Sequence, residues 1–189
     1  SKPMSIGLPL PGTDIRFIDV DTKKEVGIGE NGELQVKGAQ VMPGYFENPQ
    51  ATEEAFDDGW LRTGDVGHMD EDGYVFLVDR IKDLIICSGF NVYPRIIEEA
   101  LMTHDAVEET NVIGVPYTYR GEAPVAYVKL RAGKTVSETD LKHFLAEKLN
   151  KIEMPKEIIF KDALPKTLIG KLSKKELREE YAQRKAGKA

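Results

Sequence analysis

Two short stretches decide the fold of this chain: Gly59-Trp60-Leu61-Arg62-Thr63-Gly64-Asp65 and Asp79-Arg80-Ile81-Lys82-Asp83. Between them, residues 66–78 predict a hairpin whose loop contains Gly73, a residue that adopts positive φ without steric cost. Before them, apolar and polar residues alternate as in half-buried strands, whereas after them strands alternate with amphipathic helices. The chain therefore divides into a β-rich part and an α+β part.

The β-rich part is predicted from two alternating runs, residues 14–19 and 33–37. Asn31-Gly32 is a tight-turn signal just ahead of the second run. One short helix is predicted around residues 49–56. The fold class that follows is α+β, with a β-rich, distorted barrel-like N-terminal part and a small C-terminal domain of strands and about three helices.

Three helices are predicted in the second part. Pro94 suits the first turn of one helix, because its missing N–H is not needed there. Ser137 with Asp140, and Ser173 with Glu176, are capping pairs for the other two. The strands expected around these helices are residues 84–87, 107–115, 125–130 and 158–160.

The predicted strand 84–87 is apolar throughout and is expected to be buried, which leaves Cys87 inert. As the single cysteine it cannot form an internal disulfide, so a reducing cytoplasm is the expected compartment. The net charge of −6 argues against a nucleic-acid partner. No apolar run is long enough for a transmembrane segment, and residues 184–189 are expected to be disordered.

Asp65 and Arg80 are the first candidate binding residues. Gly64 lets the backbone approach a ligand closely, and the Asp65 carboxylate can accept two hydroxyl protons, as a ribose offers. Arg80 ends the predicted hairpin and is expected to reach the same ligand. Taken singly, Asp65 could cap a turn and Arg80 could form a surface ion pair worth less than about 1 kcal/mol.

Lys171 is the second candidate. It ends an exposed, bendable loop that leads into the last helix, Leu164-Pro165-Lys166-Thr167-Leu168-Ile169-Gly170-Lys171. By composition alone it is one of many solvated lysines. Three histidines lack metal-ligand spacing: His68, His104 and His143. Two acidic pairs are interpreted as solvated charge: Glu98-Glu99 and Glu108-Glu109.

Together these motifs resemble the adenylate-forming enzymes, which include acyl-CoA synthetases, luciferases and the adenylation domains of peptide synthetases. Residues 60–65 followed by 79–80 are similar to the ribose-binding signature of that family, and 165–171 matches its pattern Pro-Lys-Thr-x-x-Gly-Lys at every fixed position. The resemblance covers essentially the whole chain. It implies three parts: residues 1–79, the end of the large AMP-binding domain; 80–83, a hinge; and 84–189, the mobile C-terminal domain.

The resemblance also implies a role for each candidate. Asp65 is expected to hold both ribose hydroxyls of ATP or AMP with the help of Arg80. Lys171 is expected to be catalytic, bridging the carboxylate of the acid and the α-phosphate. Lys82 takes the hinge position, so that the mobile domain presents two faces in turn. The second face is expected to carry the CoA tunnel at Ser88-Gly89-Phe90-Asn91, although Gly89 by itself is equally well an ordinary turn glycine.

Residues 88–94 and 151–156 are most similar to long-chain fatty acyl-CoA synthetases. The implied reaction joins a fatty or other carboxylic acid to CoA through an acyl-adenylate, and it converts ATP to AMP and pyrophosphate. ATP, CoA and Mg²⁺ are the implied cofactors. The magnesium ligand is expected in a missing N-terminal domain, which would act in cis, and no metal site is expected in this chain. A cytoplasmic protein is expected, with peripheral membrane contact left open.

The opening of the chain suggests a fragment, because Ile6-Gly7-Leu8-Pro9 has the character of a segment in mid-domain. Such a C-terminal fragment is expected to be inactive alone. Two other functions stay open. One is an adenylation module that loads a carrier protein, which a downstream carrier domain would indicate. The other is a non-catalytic binding domain, against which the intact Asp65, Arg80 and Lys171 argue.

Overall fold

The computed structural model of the chain describes residues 2–167 and 170–187. The chain forms two compact units, Ser1–Lys82 and Asp83–Ala189, and each has its own five-stranded sheet. A 3₁₀ turn, Ile81–Asp83, lies where the two units adjoin in sequence. Among the described helices, none combines the length and the apolar character that a membrane crossing requires.

The first unit is an antiparallel sheet arranged around its longest strand. The elements in chain order are β1 (Thr13–Ile18), β2 (Gly32–Gly38), α1 (Pro49–Ala55), β3 (Phe56–Asp57), β4 (Trp60–Met69) and β5 (Val75–Arg80). Strand β2 pairs with one edge of β4, while β3 and β5 pair with the other edge at different heights. The small core lies on one face of this sheet around Phe17, Leu34 and Val75. The strands, hairpin and short helix predicted for this part are therefore present.

The β4–β5 hairpin forms as the sequence predicted. Gly73 has φ +82° in its turn. The Asp70 carboxylate accepts hydrogen bonds from the backbone N–H groups of Asp72 (3.0 Å) and Tyr74 (2.9 Å). These bonds, together with that of Lys2 to the same carboxylate, hold the pKa of Asp70 below its usual range, with the Lys2 bond the largest cause.

The second unit is a sheet with helices on both faces. In chain order it contains β6 (Ile85–Cys87), β7 (Phe90–Val92), α2 (Pro94–Met102), β8 (Val107–Tyr117), β9 (Gly121–Leu130), α3 (Glu138–Ala146), β10 (Glu157–Phe160) and α4 (Lys174–Ala186). The strand order is β10-β9-β6-β7, with β8 on the other edge of β9. Strand β10 runs parallel to β9, and the other pairs are antiparallel.

Strand β9 explains the layered packing. Val125 and Tyr127 point into a cluster covered by α4, while Ala126 and Val128 point into a cluster covered by α2 and α3. All four are fully buried, as expected for a strand with both faces covered. Burial is the main reason that the pKa of Tyr127 is raised to about 12. The fold class predicted from the sequence is confirmed.

Three local predictions need correction. Strand β6 is buried on one face only, since Ile86 is 56% exposed between two fully buried neighbours. Ser137 caps α3 as predicted, but the side chain of Ser173 makes no capping hydrogen bond to α4. Ser173 is buried instead, and its backbone N–H donates to the carbonyl oxygen of Pro165 at 2.9 Å. Residues 184–186, expected to be disordered, are the last turn of α4, where Arg184 pairs with Glu157 at 2.8 Å.

Replacing Gly67 in β4 with alanine should destabilise the first unit. The added Cβ would lie 2.3 Å from the carbonyl oxygen of Phe76, a backbone atom of the paired strand that cannot turn away. We expect the free energy of unfolding to fall by about 1–3 kcal/mol or more, measured by urea unfolding. Gly27→Ala is the matched control, because the nearest atom to its Cβ is a side-chain oxygen 3.6 Å away. Equal stability of the two variants would contradict the tight approach.

Candidate functional site

A bulge in β4 shapes the first part of the site. Gln35 of β2 pairs with Arg62, and Glu33 pairs with Val66, so residues 63–65 of β4 all lie opposite Leu34. Such extra residues bend a strand and redirect its side chains. Gly64 has φ +70°, a conformation that favours glycine.

One hydroxyl group holds this bulge in place. Thr63 donates from its Oγ1 to the carbonyl oxygen of Leu34 at 2.8 Å. Oγ1 of Thr63 in turn accepts a hydrogen bond from the backbone N–H of Asp65 at 3.1 Å. The Thr-Gly-Asp sequence is therefore a structural unit, in which threonine fixes the turn, glycine makes it possible and aspartate projects from it.

A second irregularity places Arg80 against Asp65. The two residues pair directly across β4 and β5, and the register then shifts so that Val78 is an extra residue of β5. Nε of Arg80 donates to Oδ1 of Asp65 at 2.8 Å. The Arg80 side chain is 53% exposed and that of Asp65 is 26% exposed. The structure thus brings together the two residues that the sequence singled out, at a surface that a ligand can reach.

The surface around this ion pair forms a shallow depression in the first unit. Its lining is Glu33, Arg62, Thr63, Gly64, Arg80, Ile81 and Lys82. Glu33 is only 5% exposed and accepts a hydrogen bond from Nε of Arg62 at 3.2 Å. The site therefore contains cationic, anionic and hydrogen-bonding groups in a small area.

Two polar residues of β2 are buried, which the sequence pattern did not predict. The alternation in β2 suggested that Glu33 and Gln35 face solvent, yet Gln35 is 2% exposed. Its Oε1 accepts hydrogen bonds from Arg16 at 2.9 Å (Nε) and 2.7 Å (Nη2). Glu33 and Gln35 are covered by arginines on other strands, and the local sequence of β2 gives no sign of these partners.

The Lys171 loop is a tight reversal just before α4. Lys166 and Leu172 form an antiparallel bridge, and the N–H of Thr167 donates to the carbonyl oxygen of Lys171 at 2.7 Å. Gly170 has φ +79°, and Lys171 is exposed. Two residues of the matching motif, Leu168 and Ile169, lie outside the described part of the chain. The exposed lysine is therefore presented from a loop whose base is well defined.

The segment proposed for the CoA tunnel is a two-residue hairpin turn. Ser88 (φ +56°) and Gly89 (φ +82°) connect β6 to β7, with positive φ at both positions as in a type I′ turn. The backbone N–H of Ser88 donates to the carbonyl oxygen of Arg120 at 2.7 Å. A Cβ at Gly89 would meet no atom within 4 Å, so space is left at this turn. Phe90 is 61% exposed beside it.

The Lys171 loop and the Ser88-Gly89 turn are flanked by apolar residues that pack in different clusters. Leu164 and Leu172, at the base of the Lys171 loop, pack in the cluster under α4. Ile85, Cys87 and Val92, which flank the Ser88-Gly89 turn, pack in the cluster under α2 and α3. The apolar residues next to the two candidate segments therefore pack on opposite faces of one sheet.

The remaining candidates have ordinary surroundings. Cys87 is a free thiol and fully buried. His68 stacks on Phe76, and Nδ1 of His104 accepts a hydrogen bond from the N–H of Ala106 at 3.1 Å. Over residues 2–167 and 170–187, no group of three or more His, Cys, Asp or Glu side chains is placed to hold a metal ion.

Comparisons with known families match both units. The family model for the AMP-binding enzyme C-terminal domain matches residues 96–171, and that for the AMP-binding enzyme matches residues 1–46. The long-chain-fatty-acid–CoA ligase of Bacillus subtilis is 44% identical over 97% of this chain and 33% of its own length. The ligase of the same name from Salmonella typhimurium is 46% identical over 93% of this chain and 31% of its own length.

Solved structures agree with this result. ATP-bound MatB from Rhodopseudomonas palustris has a TM-score of 0.89 at 43% identity, over 95% of this chain and 36% of that one. The o-succinylbenzoate CoA synthetase MenE from Bacillus subtilis, in complex with its acyl-adenylate intermediate, has a TM-score of 0.81 at 37% identity, over 95% and 36%. This chain spans about a third of the length of the curated relatives it matches. The chain belongs to the adenylate-forming enzyme superfamily and matches the C-terminal part of those enzymes.

Proposed function

We propose that this chain is the C-terminal part of an AMP-forming acyl-CoA ligase that acts on a fatty acid. The carboxylate of the acid attacks the α-phosphorus of ATP, which releases pyrophosphate and gives an acyl-adenylate. The thiolate of CoA then attacks the acyl carbon and releases AMP. The observation that carries the proposal is the ion pair between Arg80 and Asp65 at the Thr-Gly-Asp bulge. The choice of a fatty acid and of free CoA is supported by the names of the relatives.

The first unit would bind the nucleotide through its ribose. A carboxylate that projects from a turn can accept hydrogen bonds from two neighbouring hydroxyls. Arg80 already donates to Oδ1 of Asp65, which fixes the orientation of that carboxylate. Arg80 is half exposed, so it can also donate to the ligand. These two residues are proposed as the ribose site for ATP and AMP.

Lys171 would serve the adenylation step. Negative charge builds on the oxygens between the carboxylate and the α-phosphate as the bond forms, and a fixed ammonium group lowers that barrier. The exposed position of Lys171 on a loop with a defined base suits this role.

Thioester formation, the second step, would use the Ser88-Gly89 turn of the second unit. The Ser88-Gly89 turn leaves open space, as a narrow pantetheine arm requires. The apolar residues next to Lys171 and next to this turn pack on opposite faces of the sheet, which supports the use of a different orientation for each step. We therefore propose rotation about residues 80–83, with Lys82 at the hinge. A module that passes its acyl group to a carrier protein would share the first step, and the acceptor assay below distinguishes the two.

A chimera tests the catalytic role of Lys171. This chain would replace the matching segment of the Bacillus subtilis ligase, to which it is 44% identical. We expect Lys171→Ala to lower the rate of acyl-adenylate formation by about 100-fold or more. Thioester formation from preformed acyl-adenylate should keep its rate with CoA as acceptor. Pyrophosphate release and acyl-CoA formation measure the two steps.

The control for this experiment is Lys175→Ala, at a lysine on α4 whose side chain is 86% exposed. It should leave both steps unchanged. Equal loss of both steps in a folded Lys171→Ala chimera would contradict the role. A wild-type chimera that transfers the acyl group to a carrier protein but not to CoA would support the carrier-loading function.

The chain by itself should bind ATP weakly or not at all. Charge-assisted hydrogen bonds contribute about 1.5–3 kcal/mol each, and association costs about 4 kcal/mol or more. Asp65 and Arg80 alone therefore leave little net affinity. Titration calorimetry should detect no micromolar binding, and Asp65→Asn should remove any weak signal. Micromolar affinity would show that the chain contains more of the nucleotide site than this pair.

The hinge is tested by fixing its backbone. Lys82 lies in a 3₁₀ turn, and proline holds φ near −65°, a value that such a turn accepts. In the chimera, Lys82→Pro should trap one orientation and slow one step selectively, while Lys82→Ala should have a mild effect on both. Rapid-quench measurement of each step provides the comparison. Wild-type rates for both steps in the proline variant would rule out rotation at this residue.

A further inference from the structure

The base of the Lys171 loop is closed by its own backbone. The N–H of Ser173 donates to the carbonyl oxygen of Pro165 at 2.9 Å, and Lys166 bridges to Leu172 just above. These bonds define the shape of the loop. The base of the loop is also attached to the unit by Leu164 and Leu172, which pack in the cluster under α4.

Charged side chains at the two ends of the loop add a second attachment. Nζ of Lys166, at the start, lies 2.6 Å from Oε1 of Glu109 on β8. Nζ of Lys174, at the first position of α4, lies 3.4 Å from Oε1 of Glu98 on α2. Both glutamates were interpreted from the sequence as solvated charge, and both have specific partners instead. The segment that contains Lys171 is thus held at each end by a carboxylate from another element.

Glu98 makes the more buried of the two attachments, although its distance to the lysine is the longer. Its Oε1 also accepts a hydrogen bond from the backbone N–H of Val112 at 2.8 Å, on the outer edge of β8. The side chains of Glu98 and Lys174 are 22% and 19% exposed, against 26% and 46% for Glu109 and Lys166. Lower exposure means less screening by water. One carboxylate therefore joins α2, β8 and the start of α4.

We propose that Glu98 and Glu109 are positioning residues for Lys171. They hold both ends of its loop against the sheet, so that the ammonium group of Lys171 is presented in one place without a separate ordering step. This inference rests on the proposed function for its consequence in adenylation. The attachment itself is a property of the chain and is tested without any activity.

The chain supplies a matched control for each glutamate. Glu99 follows Glu98 on α2 and pairs with Arg95 of the same helix at 2.8 Å. Glu108 precedes Glu109 on β8 and pairs with Lys129 at 2.5 Å. Each control removes one carboxylate and one ion pair from the same element without touching the Lys171 loop. A general loss of stability would affect control and test variants alike.

Hydrogen exchange of the 189-residue chain, followed by NMR, tests the attachment. The amides to follow are those that close the loop, Thr167, Gly170 and Ser173. Glu98→Gln keeps an acceptor for the N–H of Val112 and removes the charge that faces Lys174. We expect it to raise exchange at these amides by about three- to tenfold, and Glu109→Gln by about two- to fivefold. Glu99→Gln and Glu108→Gln should leave them unchanged.

Charge reversal provides the rescue. Glu109→Lys should raise exchange at the loop amides, and the double variant with Lys166→Glu should restore slow exchange. Unchanged exchange in both test variants, or equal acceleration by the control variants, would overturn the proposal. If Glu98→Gln fails to fold, Glu109→Gln and the charge-reversed pair Glu109→Lys with Lys166→Glu still test whether the glutamates hold the loop.

The chimera adds the functional readout. Glu98→Gln and Glu109→Gln should lower kcat for adenylation severalfold, with KM for ATP and the rate of thioester formation unchanged. Equal loss of both steps would overturn the positioning role. A wild-type chimera without adenylation activity would count against the proposed function, and the exchange result would still decide whether the glutamates hold the loop.

Discussion

The ion pair between Asp65 and Arg80 depends on two register shifts, one in β4 and one in β5. Without the extra residues of β4 opposite Leu34, Asp65 would take its place in a regular ladder, and its side chain would point straight out from one face of the sheet. Without the extra residue in β5, Arg80 would not lie directly across from it. The remaining strands of the first unit hold β4 on both edges, which keeps these irregularities fixed. Irregular backbone here serves to aim two side chains.

The second unit is built on a regular sheet with helices on both faces. Its central strand β9 is covered on both faces, so loops that return to either layer rest on a rigid base. Leu164 and Leu172 beside the Lys171 loop pack under α4, whereas the strands that flank the Ser88-Gly89 turn pack under α2 and α3. A rigid sheet whose two faces support different segments suits the rotation proposed above.

Much of this arrangement could be predicted from the sequence, because periodicity and turn residues are local. The hairpin 66–78, the Ser137 cap and the strand alternation all follow from neighbours in the chain. The proximity of Asp65 and Arg80 was also within reach, since a hairpin joins them. The predictions that failed concern side chains whose partners are distant in sequence. Glu33 and Gln35 are buried because arginines of β1 and β4 cover them, and Glu98 is paired because β8 and α4 meet its carboxylate.

The unequal cores of the two units have a consequence for any heated or chemically denatured sample. Among the described residues, the first unit buries five apolar side chains: Phe17, Ile18, Leu34, Val66 and Val75. The second unit buries a far larger set in two clusters. Since burial of apolar area is the main source of stability, the first unit should melt first. The unit that contains Asp65 and Arg80 would then unfold while the unit that contains Lys171 is still folded, and a single melting temperature would not describe the chain.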